Sequence, residues 1–171
     1  YRETVIAPID HEQKHIKQTG GHGQYAHIKF SMEPGGPGYG FSFDNKVVGG
    51  RIPREYIPAI EKGMVDAMAI GPYAGYPMVD VKITLKDGSF HDVDSSEMAF
   101  RTCASAGFRE ACRKAGLELL EPMMSVEVTA HEDCTGAVTG SLCGKRGRII
   151  DMETRGKTST TRAHVPLAEM F

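Results

Sequence analysis

The stretch from Val79 to Gly116 constrains this chain most. Val79, Val81, Ile83 and Leu85 alternate with Asp80, Lys82 and Thr84, the period of a strand with one buried face. Lys86-Asp87-Gly88 is expected to turn the chain. A helical period follows. Asp94 stands three residues before Glu97, the capping-box spacing, and the predicted helix closes at Lys114-Ala115-Gly116. Met98, Cys103, Ala106 and the Ala111/Cys112 pair would form its buried stripe. A one-faced strand leading into a one-faced helix requires both element types in one core.

The rest of the chain fills in around this pair. Residues 1–26 are polar and Gly-rich. Ile28, Phe30 and Met32 alternate with Lys29 and Ser31, which predicts a strand. After a Pro34–Gly38 turn, Phe41 and Phe43 predict a second one. Pro53 and Pro58 suit a helix start, and Ile57, Ile60, Met64 and Met68 share one helical face until Gly71-Pro72 stops it. Glu121-Pro122 reads as a boundary. Beyond it come a strand at Val126 and Val128, a helix near 135–145, strands near 148–153 and 159–165, and one helical turn from Pro166 to Phe171. That order is a split βαβ unit without its last helix and strand.

Composition narrows function. The 171 residues carry 20 Lys+Arg against 22 Asp+Glu, a net charge of −2, which excludes a uniformly basic nucleic-acid coat but not a local RNA-contacting surface. With 40% hydrophobic and 25% charged residues, the balance is globular rather than disordered. No apolar run is long enough to predict a membrane span. Cys103, Cys112, Cys134 and Cys143 form no C-x-x-C pair, so reduced thiols in a cytoplasmic protein are expected rather than a zinc site. The chain opens Tyr1-Arg2-Glu3-Thr4 without a start Met, which suggests excision from something longer. Arg101, Arg109, Arg113 and Lys114 are expected to form a solvated helix face, with RNA phosphate as the alternative partner.

Three segments imitate catalytic motifs. His11-Glu12-Gln13-Lys14-His15 has the H-E-x-x-H spacing of a zinc hydrolase, but Pro8 and Gly20-Gly21 bracket it too closely for a packed helix. A polar leading loop or short helix is expected instead. Gly140-Ser141-Leu142-Cys143-Gly144-Lys145-Arg146 has three residues between its glycines where a P-loop needs four, and Arg146 where the magnesium-binding hydroxyl belongs. A helix C-terminus with a basic turn accounts for it better. Ser95 or Ser96 with His91 could be cast as nucleophile and base, yet no G-x-S-x-G surrounds them, and Ser and Asp at a helix start usually cap it. No catalytic or metal residue is assigned.

Longer runs carry a resemblance. Lys17-Gln18-Thr19-Gly20-Gly21-His22-Gly23-Gln24-Tyr25-Ala26-His27 resembles the opening loop and strand of domain IV of bacterial elongation factor G. Gly49-Gly50-Arg51-Ile52-Pro53-Arg54-Glu55-Tyr56-Ile57-Pro58-Ala59, Gly71-Pro72 with Gly75-Tyr76-Pro77, and His91-Asp92-Val93-Asp94-Ser95-Ser96-Glu97 are similar to later parts of it. Leu119-Leu120-Glu121-Pro122 and Val165–Phe171 extend the likeness into domain V. The resemblance implies an α+β fold: residues 1–121 as a two-layer α/β sandwich similar to ribosomal protein S5 domain 2, and 122–171 as the first half of a ferredoxin-like unit. Such a truncated unit should expose an edge and apolar surface, and be more mobile than 1–121 or pack on another copy.

The resemblance also implies a mechanism without a catalytic centre in this chain. GTP and magnesium would belong to a G domain absent here. The partners would be the decoding region of the small ribosomal subunit, tRNA, mRNA and the missing domains of the same polypeptide. The contacting tip would comprise a first loop from Thr19 through Gly20, Gly21, His22 and Gly23 to Gln24, and a second of His91, Asp92, Val93, Asp94 and Ser95. Glycines permit close backbone approach to a sugar–phosphate strand, and Gln24 and His91 can hydrogen-bond 2′-hydroxyls or phosphates. The family commonly has Arg where this chain has His22, exchanging a permanent forked cation for a mostly neutral ring. That departure would suit a ribosome-recycling paralogue, and a stand-alone ribosome-binding adaptor is a further alternative.

Overall fold

The computed structural model describes residues 1–18 and 20–171; Thr19, the first residue of the expected tip, lies outside them. Contacts divide the chain into Tyr1–Leu120 and Glu121–Phe171. Both are mixed α and β, as expected.

In the first unit, β2 (Ile9–Lys17), β3 (Gln24–Pro34), β4 (Phe41–Asn45) and β5 (Val81–Ser89) form a sheet in the order β2-β3-β5-β4. All pairings are antiparallel except β4 with β5, which are parallel and joined through α1 (Ile57–Met68). The second helix, α2 (Glu97–Ala115), follows β5. Ala26, Ile28, Phe30 and Met32 of β3 and Val81, Ile83 and Leu85 of β5 bury one sheet face against Ile60, Met64, Phe100, Cys103, Phe108 and Cys112 of the helices. The alternation read in both strands is therefore the core itself.

The polar opening segment corrects the sequence reading. It contains two strands: β1 (Arg2–Val5), which pairs with β6 (Leu117–Leu120), and β2, where a loop or short helix was expected. Lys86-Asp87-Gly88 does not turn the chain but continues β5 beside a bulge at Lys29/Phe30. Pairing with β3 overrides the local turn preference. The named strand begins at Val81 because Asp80 has φ 61°; its Oδ1 accepts from the Gly40 N–H at 2.9 Å, holding the loop before β4. The cap of α2 is Ser96, whose Oγ accepts from Ala99 N–H at 3.1 Å, rather than Asp94. Met98, expected in the buried stripe, is 67% exposed. Gly116 ends α2 at φ 83°, as the C-cap reading required.

In the second unit, β7 (Met123–His131), β8 (Arg148–Arg155) and β9 (Thr158–Pro166) form an antiparallel sheet in the order β7-β9-β8, leaving β7 and β8 as edges. Helix α3 (Thr135–Gly144) packs Val138 and Leu142 against Val126, Val128, Ile149, Ala163 and Val165. Arg146 then holds Glu121 with two bonds of 2.6 and 3.1 Å and Glu169 with a third of 3.1 Å. The guanidinium hydrogen bonds keep the Glu121 carboxyl below its ordinary range. Among the described residues no helix is long and apolar enough to cross a membrane.

The four cysteines divide by environment. Burial pushes the thiols of Cys103 and Cys112 up to about 12, whereas Cys134 and Cys143 are exposed. Because the thiolate is the reactive species, iodoacetamide at mildly alkaline pH should modify Cys134 and Cys143 in the folded chain, and all four only in denaturant. Mass spectrometry of the labelled peptides reads the pattern. Rapid native labelling of Cys103 would contradict this core.

Candidate functional site

The antiparallel register of β3 and β5 decides where the site lies. His27 pairs with Ser89, so the start of β3 and the end of β5 share one end of the sheet. The described residues of the β2–β3 connection (18 and 20–23) and the β5–α2 connection (90–96) are therefore neighbours, although some seventy residues separate them in sequence.

Backbone and hydroxyl bonds join the two loops. Tyr25 N–H donates to the Asp94 carbonyl at 3.0 Å. Ser95 Oγ donates to the Tyr25 carbonyl at 2.7 Å and accepts from the His91 N–H at 2.9 Å. Ser95 N–H donates to the His91 carbonyl at 3.1 Å, closing the second loop on itself. Gly23 eases this approach: a Cβ there would stand 3.0 Å from Asp94 Oδ2 and 3.3 Å from the Lys17 carbonyl, so these neighbours would have to give by a few tenths of an ångström. Its glycine has an intramolecular reason, beyond the nucleic-acid approach inferred from sequence.

His91 has a defined orientation. Its Nδ1 accepts from the N–H groups of Val93 and Asp94, each at 3.2 Å. In the neutral ring that pattern assigns the proton to Nε2. The side chain is 56% exposed, so Nε2–H is left as a donor for a group outside the loop. The Tyr25 ring lies 6.3 Å from the His91 ring, tilted at 51°.

The expected site residues fall into two sets. Gly20, Gly21, His22, His91, Asp92 and Val93 are exposed. Gly23, Gln24, Asp94 and Ser95 are half-buried. Asp94 and Ser95 use their backbone and hydroxyl groups to brace the loops. Gln24 pairs across from Lys17 at the base of the first loop, and its Oε1 receives a 2.7 Å hydrogen bond from His15 Nε2.

His15 and Tyr25 join the candidate site only through the structure, His15 by its bond to Gln24 and Tyr25 by its bonds to the second loop. The letters H-E-x-x-H directed attention to metal, whereas the two-residue period of β2 puts His11, Gln13 and His15 on the helix-covered face and Glu12 and Lys14 on the other. That strand also disposes of the zinc reading. Four residues of extended chain separate the two rings by roughly 13 Å, too far to share one ion. His11 instead bonds Gln13 Oε1 at 2.9 Å and Lys114 Nζ at 3.1 Å. Among the described residues no group of three or more His, Cys, Asp and Glu side chains could hold a metal. The P-loop imitation fails structurally as well. Gly140–Gly144 lies inside α3, and Lys145 caps its C-terminus, the end of a helix that disfavours phosphate.

Both parts of the chain match known families. Residues 1–116 match elongation factor G, domain IV, and residues 118–171 match the elongation factor G C-terminus. The fold and these matches define a two-part module of a translation elongation factor. Elongation factor G of Paracoccus denitrificans (strain Pd 1222) is 51% identical over 171 residues, covering 100% of this chain and 24% of that protein. A crystal structure from Thermus thermophilus superposes with a TM-score of 0.83 at 40% identity, over 98% of this chain and 25% of that one. The chain belongs to the elongation factor G family and spans about a quarter of the length of these relatives.

Proposed function

We propose that this chain is the ribosome-contacting part of a translocase of protein synthesis. Its joined loops would enter the small-subunit decoding region and contact the tRNA–mRNA duplex in the cytoplasm. The observation that carries the reading is the bracing of the His91 loop by Tyr25 and Ser95, which presents an exposed Nε2–H donor on a loop hydrogen-bonded to the start of β3. RNA shape is read by such donors on 2′-hydroxyl and phosphate oxygens when a rigid support fixes their spacing. A net charge of −2 is compatible, because the remainder of a factor about four times longer would supply most of the ribosome affinity. GTP and magnesium chemistry would also belong to that remainder. Among the described residues, the Gly140–Arg146 run does not fit a nucleotide phosphate, since it lies within α3 and at its C-terminal end.

In the full-length protein, His91→Ala should slow single-round translocation about tenfold, equivalent to about 1.4 kcal/mol of transition-state stabilisation. Ribosome-stimulated GTP hydrolysis should persist. Rapid mixing with a fluorescent mRNA reads the first quantity and phosphate release the second. Normal translocation with lost hydrolysis would refute this division of labour.

A further inference from the structure

We infer that Tyr25 is a positioning residue for His91, held by a hydrogen-bonded chain of Glu12, His27 and Ser89 on the sheet face away from the helices. Tyr25 Oη lies 2.8 Å from Ser89 Oγ, Ser89 Oγ 2.7 Å from His27 Nδ1, and His27 Nε2 2.8 Å from Glu12 Oε1. The inference rests on the tip reading above and extends it to residues that do not face the exterior of the loops.

Proton directions follow from the last partner. The Glu12 carboxylate can only accept, so His27 donates from Nε2 and, in the neutral ring, accepts at Nδ1. Ser89 then donates to Nδ1 and accepts from the Tyr25 hydroxyl. Every donor in the chain has one acceptor, which fixes the Tyr25 ring at its far end as well as through its backbone. The His27 hydrogen bond accordingly holds the Glu12 carboxyl below its ordinary range. His27 is 8% exposed, so its two partners are needed to satisfy a largely buried ring.

The chain runs to the tip for a geometric reason. His27 and Ser89 are directly opposed in the β3–β5 register, two residues from Tyr25 and His91 respectively. Tyr25 meets the second loop twice through its backbone, and its ring flanks the His91 ring at 6.3 Å, within the range of favourable tilted pairs. A Ser–His–carboxylate row also resembles a hydrolytic triad. Here, however, the Tyr25 hydroxyl occupies the accepting side of Ser89 Oγ, which an attacking nucleophile would need free.

The test uses the full-length factor on ribosomes. Tyr25→Phe removes only the hydroxyl and should slow translocation roughly two- to tenfold, the range of one neutral hydrogen bond. Native-state exchange of the β3 and β5 amides and GTP hydrolysis should change little. In a His91→Ala background the same change should add no further slowing, because the positioned group is gone. Glu12→Gln, which keeps an acceptor for His27, should slow the step less than Glu12→Ala. An unslowed Tyr25→Phe, an effect that multiplies fully with His91→Ala, faster exchange of the β3 and β5 amides accounting for the loss, or equal slowing by both Glu12 variants would each overturn the inference. A normal rate for His91→Ala alone would instead refute the tip reading on which it stands.

Discussion

Glu3→Ala should remove about 4 kcal/mol from the stability of the first unit, the largest single-residue loss expected here. Glu3 is fully buried in a strand of only four residues. Its Oε1 accepts from Tyr73 N–H, and its Oε2 from Ala74 and Tyr76 N–H, each at 2.9 Å. Backbone bonds to Pro77 and Val79 tie the same residue to the following segment. Hydrogen bonds to a charged group contribute about 1.5–3 kcal/mol each, and donors stranded by truncation cost about 1–3 kcal/mol. The exposed loop from Tyr73 to Pro77 can recover some solvation, so the sum is discounted to about 4. Glu3→Gln keeps one acceptor oxygen and should lose less than half as much. Two structural units make a single melting curve ambiguous, so native-state hydrogen exchange of the β3 and β5 amides is the suitable measurement. Unchanged exchange in Glu3→Ala would mean the loop does not depend on the carboxylate.

Gly63→Ala should destabilise the same unit by about 2 kcal/mol, although alanine is the better helix former. Gly63 sits where α1 meets α2, and a Cβ there would stand 2.4 Å from the Arg101 carbonyl oxygen and 2.9 Å from Ala104 Cβ. The nearest of these is backbone, so α2 itself must move. Overpacking of this kind costs about 3 kcal/mol at the upper end of its usual range, and helix propensity returns about 1. The shift would also stretch the 2.7 Å bond from Ser105 Oγ to the Gly63 carbonyl. Gly140→Ala in α3 is the matched comparison, because nothing lies within 4 Å of its added Cβ. That variant should gain up to about 1 kcal/mol for the second unit. Opposite signs in hydrogen exchange are the expected result; a gain at both sites would remove the close helix contact as an explanation.

Glycine shows how far sequence reading reaches. Gly63, Gly23 and Gly140 are identical as letters, and each takes its meaning from what stands beside the missing Cβ. Short polar segments behave the same way. Nothing in Glu3 or His27 marks them as buried, because their partners are backbone groups of a distant loop and side chains of neighbouring strands. By contrast, the alternation of Ile28, Phe30 and Met32, the helical face of Ile60, Met64 and Met68, and the strand–helix–strand–strand order after Pro122 were all legible. Each is a local period set by one face being apolar.

Sequence alone determined β3, the apolar face of β5, the helices α1 and α2, the family and the two candidate loops, since those rest on runs of neighbouring residues. Only tertiary structure decided that β2 is a strand, that Ser96 rather than Asp94 caps α2, and that Tyr25, His15 and Ser95 brace the candidate tip. The physical reason is pairing. A polar segment becomes a strand when a neighbour offers it a ladder of hydrogen bonds, and a side chain becomes a brace when sheet register brings its partner within 3 Å.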